Sequence, residues 1–391
     1  MTNPAFAPFS FNTTPSIVFE AGSARRLGAL AGARLGQRAL FVTDPGLRSL
    51  GLCDPAIAAL QAEGIALSIF DRVEADPSLA TLMAAVEAGR AAGVTGIVGF
   101  GGGSSLDVAK LAALLIGSGE DLDGAWGVGN ARGPRLPLVL VPTTAGTGSE
   151  VTPVSIITVG EEEKRGVSSA LILPDMAVLD PELTLGLPPA ITAATGVDAM
   201  VHAIEAYASK NANNNPLSKM LARQALRLLG ANIETAVFDG RDLAARGAML
   251  LGSMLAGQAF ANSPVAAVHA LAYPIGGTFH VPHGLSNALV LPHVLRFNAP
   301  DAAHLYAEIA ADVFPALDTE EGAQGRCAAF IDALAALSRK LGMQTTLREV
   351  GIGEEHLAKM AADAMKQQRL LVNNPRDVAE ADALAIYRAA W

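Results

Sequence analysis

Four residues that could hold a metal ion fall in separate segments of the chain. Asp198 and His202 lie four positions apart in a segment predicted to be helical, so their side chains share one face. His269 lies in a later predicted helix, and His283 follows at a loop or helix start. One carboxylate and three imidazoles suit Fe²⁺ or Zn²⁺, whereas Mg²⁺ prefers more oxygen ligands. Taken singly, each residue is more often an ordinary polar side chain, so spacing alone leaves both interpretations open.

A glycine-rich turn in the first half of the chain could bind a phosphate group. It follows the predicted strand Gly96–Phe100 and leads into a helix predicted from Ser105 to about Leu115; its residues are Gly101, Gly102 and Gly103. Glycines let the backbone approach a phosphate, Ser104 or Ser105 could cap the helix, and free N–H groups at a helix start bind anions. The spacing is not the full dinucleotide fingerprint, so a purely structural turn is the alternative.

A second candidate loop, Pro142–Glu150, follows the apolar strand predicted at Leu138–Val141. Hydroxyl groups and glycines at the carboxyl end of a strand suit a ligand crevice in an α/β sheet. The alternative is a polar loop whose threonines cap a helix.

The elements that must position these residues change in character along the chain. Up to about residue 187, short apolar strands, Val154–Val159 among them, alternate with helices, which predicts a mostly parallel sheet covered on both faces. Beyond it, apolar residues recur at three- and four-residue spacing, which predicts helices alone, one of them over Leu285–Phe297. We therefore predict an α/β domain over residues 1–187 and an all-helical domain over residues 188–391.

Composition limits the class of protein. The chain has 391 residues, of which 51% are hydrophobic and 17% charged, with a net charge of −10 and no basic run, so nucleic acid and anionic membrane surfaces are unsuitable partners. Cys53 and Cys327 are far apart and outside any metal-ligand spacing, which fits a reducing cytoplasm. Residues Met1–Asn12 lack the pattern of a signal peptide, and apolar runs are too short to span a membrane.

With these segments in place, the chain resembles the iron-containing (group III) alcohol dehydrogenases over nearly its whole length. The motifs that carry the resemblance, in chain order, are Phe70–Pro77, Gly101–Lys110, Pro142–Glu150, Leu179–Thr184, Thr195–Glu205, His269–Gly277 and Pro282–Ala288. The resemblance implies an N-terminal NAD-binding α/β domain, a helical C-terminal domain that binds metal and substrate, and a metal in the cleft between them. It also implies a homodimer.

The resemblance assigns roles to individual residues. The metal ligands would be Asp198, His202, His269 and His283, with Fe²⁺ the first choice and Zn²⁺ the second. The residues on the pyrophosphate would be Gly101, Gly102, Gly103, Ser104 and Ser105, and those along the nucleotide and nicotinamide would be Asp107, Thr143, Thr144, Thr147 and Lys164. Two assignments have plain alternatives. Lys110 matches the same motif as Asp107 but could be an ordinary solvated helix residue. The Glu161–Arg165 run around Lys164 could be only a hairpin tip.

The resemblance places Asp44, at the end of the second predicted strand, where a carboxylate receives the hydroxyls of the adenosine ribose. A 2′-phosphate at that position would meet like-charge repulsion of about 1–4 kcal/mol, so NAD is expected over NADP. The alternative is a turn-forming aspartate before Pro45.

One position departs from the family pattern. Many members have a further histidine four residues after the third ligand, and this chain has Tyr273 there. A proton relay through that histidine is therefore absent, and Tyr273 could line the substrate pocket or pass the proton. A similar Tyr-Pro pair occurs in the hydroxyacid–oxoacid transhydrogenase branch of the family.

Phe260 matches a family aromatic beside the substrate or packs in the core. His280 is expected in solvent and His293 within its helix.

The function implied is reversible hydride transfer between NAD and a small alcohol or aldehyde, with Tyr273 and the ligand His283 as the catalytic residues. Alternatives on the same scaffold are a hydroxyacid dehydrogenase or transhydrogenase and a metal-independent reductase like the maleylacetate reductases. A lyase that uses NAD transiently, as dehydroquinate synthases do, and a binding protein without catalysis are also open. The residues do not identify the substrate.

Overall fold

The computed structural model describes residues 7–160, 163–319 and 322–391, which fall into two compact units. One unit comprises residues 12–186, and the other comprises residues 187–391 together with residues 7–11. The sequence prediction assigns residues 7–11 to the α/β domain. They instead group with the helical unit, since Ser10 exchanges two hydrogen bonds of 2.9 Å with the side chain of Asn213. No helix among the described residues is long and apolar enough to cross a membrane.

The unit of residues 12–186 alternates strands and helices. Its strands are β1 (Ile17–Phe19), β2 (Arg38–Val42), β3 (Ala66–Phe70), β4 (Gly96–Gly101), β5 (Gly127–Val128), β6 (Leu138–Pro142), β7 (Val154–Val159), β8 (Glu163–Ser168) and β9 (Met176–Leu179). Its α-helices are α1 (Leu27–Leu35), α2 (Pro45–Ser49), α3 (Asp54–Ala62), α4 (Leu79–Ala92), α5 (Gly103–Ser118) and α6 (Leu122–Ala125).

Six of these strands form a parallel sheet in the order β1-β9-β6-β4-β2-β3. The central strands are apolar and buried along their length because helices cover both faces of the sheet, which confirms the predicted α/β class. Since β2, β4 and β6 are neighbours and run in one direction, the loops after their carboxyl ends meet at one edge. Asp44, the glycine turn Gly101–Gly103 and the loop Pro142–Glu150, which are all predicted to contact the cofactor, lie at the carboxyl ends of these three strands.

A separate small sheet joins β7 and β8 in an antiparallel hairpin, with β5 alongside β8. The sequence prediction counts Val154–Val159 among the strands of the main sheet. It pairs antiparallel with β8 instead, and Gly160, directly after β7, has a φ of +65° that suits glycine. Of the predicted hairpin tip, residues 161–162 lie outside the described residues.

The second unit is built from helices, which confirms the predicted all-helical class. They are α7 (Pro189–Ala208), α8 (Pro216–Phe238), α9 (Leu243–Asn262), α10 (Ala267–Phe279), α11 (His283–Val313), α12 (Gly322–Lys340), α13 (Leu357–Ala364), α14 (Gln368–Leu371) and α15 (Glu380–Ala390). Helix α11 is predicted to end near Phe297 but continues through Pro300 for another four turns. Packing of α11 against α7, α8 and α12 compensates the hydrogen bond that Pro300 cannot donate.

Candidate metal centre and nucleotide-binding loops

Three helices of the second unit bring the four predicted ligands together. Asp198 and His202 lie on α7, His269 lies on α10, and His283 is the first residue of α11. One ligand atom from each residue lies within 4.8 Å of the others. Gly284 permits this approach, because a Cβ atom there would lie 2.3 Å from the carbonyl oxygen of residue 194 on α7. Three of the side chains are buried, whereas that of His283 is 43% exposed, so the cluster opens toward solvent on the His283 side.

The electrostatics of the cluster favour an ionised carboxylate. Burial by itself raises the pKa of Asp198, but the imidazoles of the cluster and a hydrogen bond from Asn287 outweigh it and hold that pKa below its usual value. Asn287 Nδ2 donates to Asp198 Oδ1 over 2.6 Å and lies 3.3 Å from the Nε2 atoms of both His269 and His283. Asn287 Nδ2 therefore lies next to one carboxylate oxygen and two imidazole nitrogens, which are atoms that could also bind a cation.

A carboxylate that the sequence analysis did not single out orients one of the imidazoles. Glu205 Oε2 lies 2.6 Å from His269 Nδ1, and Glu205 Oε1 accepts a hydrogen bond of 2.7 Å from the backbone N–H of Val268. With Nδ1 donating its proton to Glu205, His269 presents the lone pair of Nε2 to the cluster. The spacing on α7 could have identified Glu205 from the sequence. Asp198, His202 and Glu205 are four and three residues apart and therefore share one face of the helix.

Two aromatic rings border the cluster. Phe260 stacks on His202 with ring centroids 4.4 Å apart, so it contacts a predicted ligand as well as packing within its unit. The Tyr273 ring lies 6.2 Å from that of His283, and the Tyr273 hydroxyl accepts a hydrogen bond of 3.1 Å from Arg369 Nη2. His280 is exposed at the end of α10, in agreement with the expectation that it faces solvent.

At the edge of the sheet in the first unit, three predicted cofactor segments lie side by side. Thr143, just after β6, donates its backbone N–H to the carbonyl of Gly101 at the end of β4 over 3.0 Å. A Cβ atom on Gly103 would lie only 2.9 Å from Thr147 Cγ2, and one on Gly102 would lie 3.6 Å from Thr144 Cγ2. Asp44, which follows β2, accepts from the backbone N–H of residue 47 over 2.9 Å and caps α2.

The start of α5 differs from the prediction. The helix begins at Gly103 with Gly102 in the N-cap position and no side-chain cap, so Ser104 and Ser105 lie inside the first turn and do not cap it. The reason is the backbone of Gly101, whose φ of +152° turns the chain directly into the helix; a Cβ atom there would lie 2.7 Å from Ser105 Oγ. The first backbone N–H groups of α5 have no acceptor within the helix, which is the feature that binds anions.

The interpretation of Lys110 as a solvated helix residue is wrong. Lys110 is fully buried, and its Nζ donates to Ser149 Oγ over 2.7 Å, to the carbonyl of Val154 over 2.7 Å and to the hydroxyl of residue 152 over 3.2 Å. Asp107 accepts from Ser149 Oγ and from the backbone of residue 156. Lys110 and Asp107 therefore fasten the second predicted loop and β7 to α5.

A second buried carboxylate lies beside this network. Glu150 is 2% exposed, and burial raises its pKa to about 7, against opposition from its own backbone hydrogen bond and from Lys110. Burial also raises the pKa of Asp107 and lowers that of Lys110, while their mutual attraction opposes both changes. Lys164, on β8, forms an ion pair with Asp76.

Comparison with known proteins identifies the family. Two family models match, for iron-containing alcohol dehydrogenase over residues 14–181 and for the C-terminal domain of the Fe-containing alcohol dehydrogenase family over residues 192–391. Long-chain-alcohol dehydrogenase 1 of Geobacillus thermodenitrificans (strain NG80-2) is 42% identical over 376 residues, covering 94% of this chain and 91% of the relative.

Solved structures agree with this assignment. A crystal structure of 1,3-propanediol oxidoreductase superposes with a TM-score of 0.94 at 36% identity, covering 98% of this chain and 100% of that chain. A sulfoacetaldehyde reductase from Bifidobacterium kashiwanohense, in complex with NAD⁺, superposes with a TM-score of 0.85 at 28% identity, covering 98% of both chains. Since family models match both halves, the chain belongs to the iron-containing alcohol dehydrogenase family and is an NAD-linked oxidoreductase of alcohols and aldehydes.

Proposed function

We propose that this enzyme transfers hydride reversibly between NAD(H) and a small alcohol or aldehyde, with a divalent metal held by Asp198, His202, His269 and His283. The observation that carries this proposal is the convergence of the four ligand atoms within 4.8 Å. Three imidazole nitrogens and one carboxylate oxygen form a donor set that suits Fe²⁺, which the family implies, and also Zn²⁺. When bound, such an ion supplies Lewis acidity, which favours the ionised form of an alcohol and polarises the carbonyl group of an aldehyde.

The surroundings of the ligands support a metal of this kind. Asn287 fixes the orientation of the Asp198 carboxylate, and Glu205 fixes that of the His269 ring. Asn287 Oδ1 is buried and has no hydrogen-bond partner among the described residues. The orientation of the Asn287 amide is therefore fixed by the hydrogen bonds of its Nδ2 atom. Carboxylate and amide partners of this kind hold ligands in the geometry that a metal requires.

Replacement of Glu205 by glutamine is expected to weaken the affinity for Fe²⁺ or Zn²⁺ by roughly 10- to 100-fold. Glutamine has one acceptor oxygen for two donors, the Val268 backbone N–H and His269 Nδ1, so the His269 ring loses its fixed orientation. Competition titration of the metal-free protein against a chromogenic chelator measures this change. Glu234→Gln, which removes an exposed carboxylate paired with Lys340, is the matched control and should leave the affinity unchanged. Equal affinities for both variants would contradict the role of Glu205.

For the cofactor, we propose that the pyrophosphate of NAD lies against the start of α5. Gly101, Gly102 and Gly103 keep the backbone accessible, and Ser104 and Ser105 contribute N–H groups of the first turn. Thr143, Thr144 and Thr147 would line the nucleotide and the nicotinamide, in a loop that Asp107 and Lys110 bind through Ser149. Lys164, which is paired with Asp76, would lie near the nucleotide.

Asp44→Asn is expected to raise the ratio of kcat/KM for NADPH over NADH by roughly 5- to 100-fold, as loss of about 1–3 kcal/mol of repulsion allows. Asparagine keeps the acceptor oxygen that caps α2 and removes only the negative charge. The ratio is read from initial rates of aldehyde reduction with each cofactor. Asp54→Asn, an exposed carboxylate of the same unit paired with Arg48, is the control. An unchanged ratio for Asp44→Asn would show that Asp44 only caps the helix.

The experiment that tests the metal-dependent reaction is depletion and reloading. The enzyme, stripped with a chelator and dialysed, is assayed by NADH absorbance on a panel of C2–C6 alcohols, diols, hydroxyacids and aldehydes, before and after addition of Fe²⁺ or Zn²⁺. We expect activity to disappear on stripping and to return with metal. Full turnover without metal would support the reductase alternative, and preference for hydroxyacids or ketoacids would support the dehydrogenase or transhydrogenase alternative.

Two broader expectations complete the proposal. The family resemblance favours a homodimer, which size-exclusion chromatography with light scattering would detect. Cys53 and Cys327 are both free and buried, which supports function in the reducing cytoplasm.

A further inference from the structure

Tyr273 is paired with an arginine that the family resemblance does not assign. Tyr273 follows His269 by one turn of α10 and is only partly buried. Its ring lies beside His283, which is the most exposed of the four predicted ligands. Tyr273 therefore borders the open side of the cluster.

Arg369 reaches this position from α14, which packs against α10. Its Nη2 donates to the Tyr273 hydroxyl over 3.1 Å, and its guanidinium carbon lies 5.8 Å from the centre of the Tyr273 ring. Among the described residues Arg369 forms no ion pair, and the nearest acidic residue along its segment, Asp363, is already paired with Lys359 and Lys366. The Arg369 side chain is exposed, and its guanidinium is not paired with a carboxylate in the described part of the chain.

We propose that Arg369 and Tyr273 bind the carboxylate or sulfonate of a short substrate whose alcohol or aldehyde group lies at the four-ligand cluster. The proposal rests on the proposed function and names the class of substrate. A guanidinium has five N–H donors in a planar fork that matches such anions, and with respect to the described residues Arg369 uses one of them, on the Tyr273 hydroxyl. The Tyr273 hydroxyl accepts from Arg369 and keeps its own proton to donate to the same anion.

The charge of the whole protein makes a local cation necessary for such a substrate. With a net charge of −10, the long-range field opposes the approach of an anion. The guanidinium would bind an anionic group more strongly than the hydroxyl of a neutral diol, and an unsubstituted alkyl chain would offer it no acceptor. If Arg369 only fastened α14 to α10, its removal would affect charged and neutral substrates alike. If it binds the anionic group, its removal would affect charged substrates more.

The test compares the Fe²⁺-loaded wild-type enzyme with Arg369→Gln on succinic semialdehyde, sulfoacetaldehyde and butanal, with NADH as the reductant. We expect the ratio of kcat/KM for an anionic aldehyde over butanal to fall by roughly 10- to 100-fold, mainly through KM, which is the loss typical of a hydrogen bond to a charged group. Arg369→Lys should recover part of the ratio, and Tyr273→Phe should lower it less than Arg369→Gln. A fall with either anionic aldehyde supports the site, and the two compounds show which head group it takes.

The matched control is Arg376→Gln. Arg376 is in the same C-terminal segment and also stacks on an aromatic ring, that of Phe297 at 4.2 Å, so the ratio should not change when it is replaced. An unchanged ratio in Arg369→Gln, or equal losses on all three aldehydes, would overturn the proposal.

A binding measurement separates this proposal from the proposed function. Calorimetry of succinate and of ethanesulfonate with the metal-free protein should show binding that Arg369→Gln weakens by a similar factor. If the enzyme reduces no aldehyde but binds these anions through Arg369, the proposed function fails and the anion site stands. If it reduces butanal and neither the ratio nor the binding depends on Arg369, the anion site fails and the proposed function stands.

Discussion

Replacement of His283 by alanine is expected to lower kcat/KM for alcohol oxidation by roughly 10³-fold or more, because a bound metal contributes several kcal/mol to the stabilisation of charge in the transition state. The three remaining proposed ligands, Asp198, His202 and His269, would hold a metal less tightly. Since the His283 side chain is 43% exposed, its truncation should cost little stability. NADH absorbance gives the rates, and elemental analysis of the dialysed protein gives the metal content, which should fall with the activity.

His280→Ala is the matched control for this experiment. His280 lies three residues before His283, is exposed, and is not part of the four-ligand cluster. It should keep both the activity and the metal content of the wild type. If His283→Ala lost its metal but kept activity within tenfold of the wild type, the metal-independent alternative would be favoured over the proposed mechanism.

Replacement of Lys110 by methionine is expected to destabilise the α/β unit by about 3–5 kcal/mol, the effect typical of removing one partner from a buried ion pair. The change removes three hydrogen bonds from Nζ and leaves Asp107 and Glu150 as buried carboxyls without their neighbouring cation. The loops after β4 and β6 should lose their mutual support, so the affinity for NAD should fall as well.

The two tryptophans allow this loss to be assigned to one unit. Trp126 lies in the α/β unit and Trp391 at the end of the helical unit. In a Trp391→Phe background, fluorescence during urea unfolding reports on the α/β unit. Arg26→Met, which breaks an exposed ion pair with Glu20, serves as the control and should cost less than about 1 kcal/mol. Equal unfolding curves for Lys110→Met and Arg26→Met would contradict the structural role of Lys110.

The types of the ligand residues and most of the helices and strands could be predicted from local sequence patterns. The spacing of Asp198 and His202 on a helix follows from the helical repeat, and the apolar runs of β4 and β6 follow from burial on both faces. The start of α5 could not be predicted to the residue, because it depends on the space that Gly101 leaves beside Ser105. The extension of α11 past Pro300 depends on packing against other helices, which outweighs local propensity.

The residue types of the candidate site, the succession of an α/β half and a helical half, and the replacement of the usual histidine by Tyr273 were determined by the sequence alone. Tertiary structure decided which side chains meet. Glu205 contacts His269, which lies 64 positions away in the sequence, and Arg369 contacts Tyr273, which lies 96 positions away. Lys110 is buried against Ser149. Such contacts have no local periodicity, because they arise from the packing of whole helices and strands. The residues that contact the candidate site residues can therefore be identified only from the packed helices and strands.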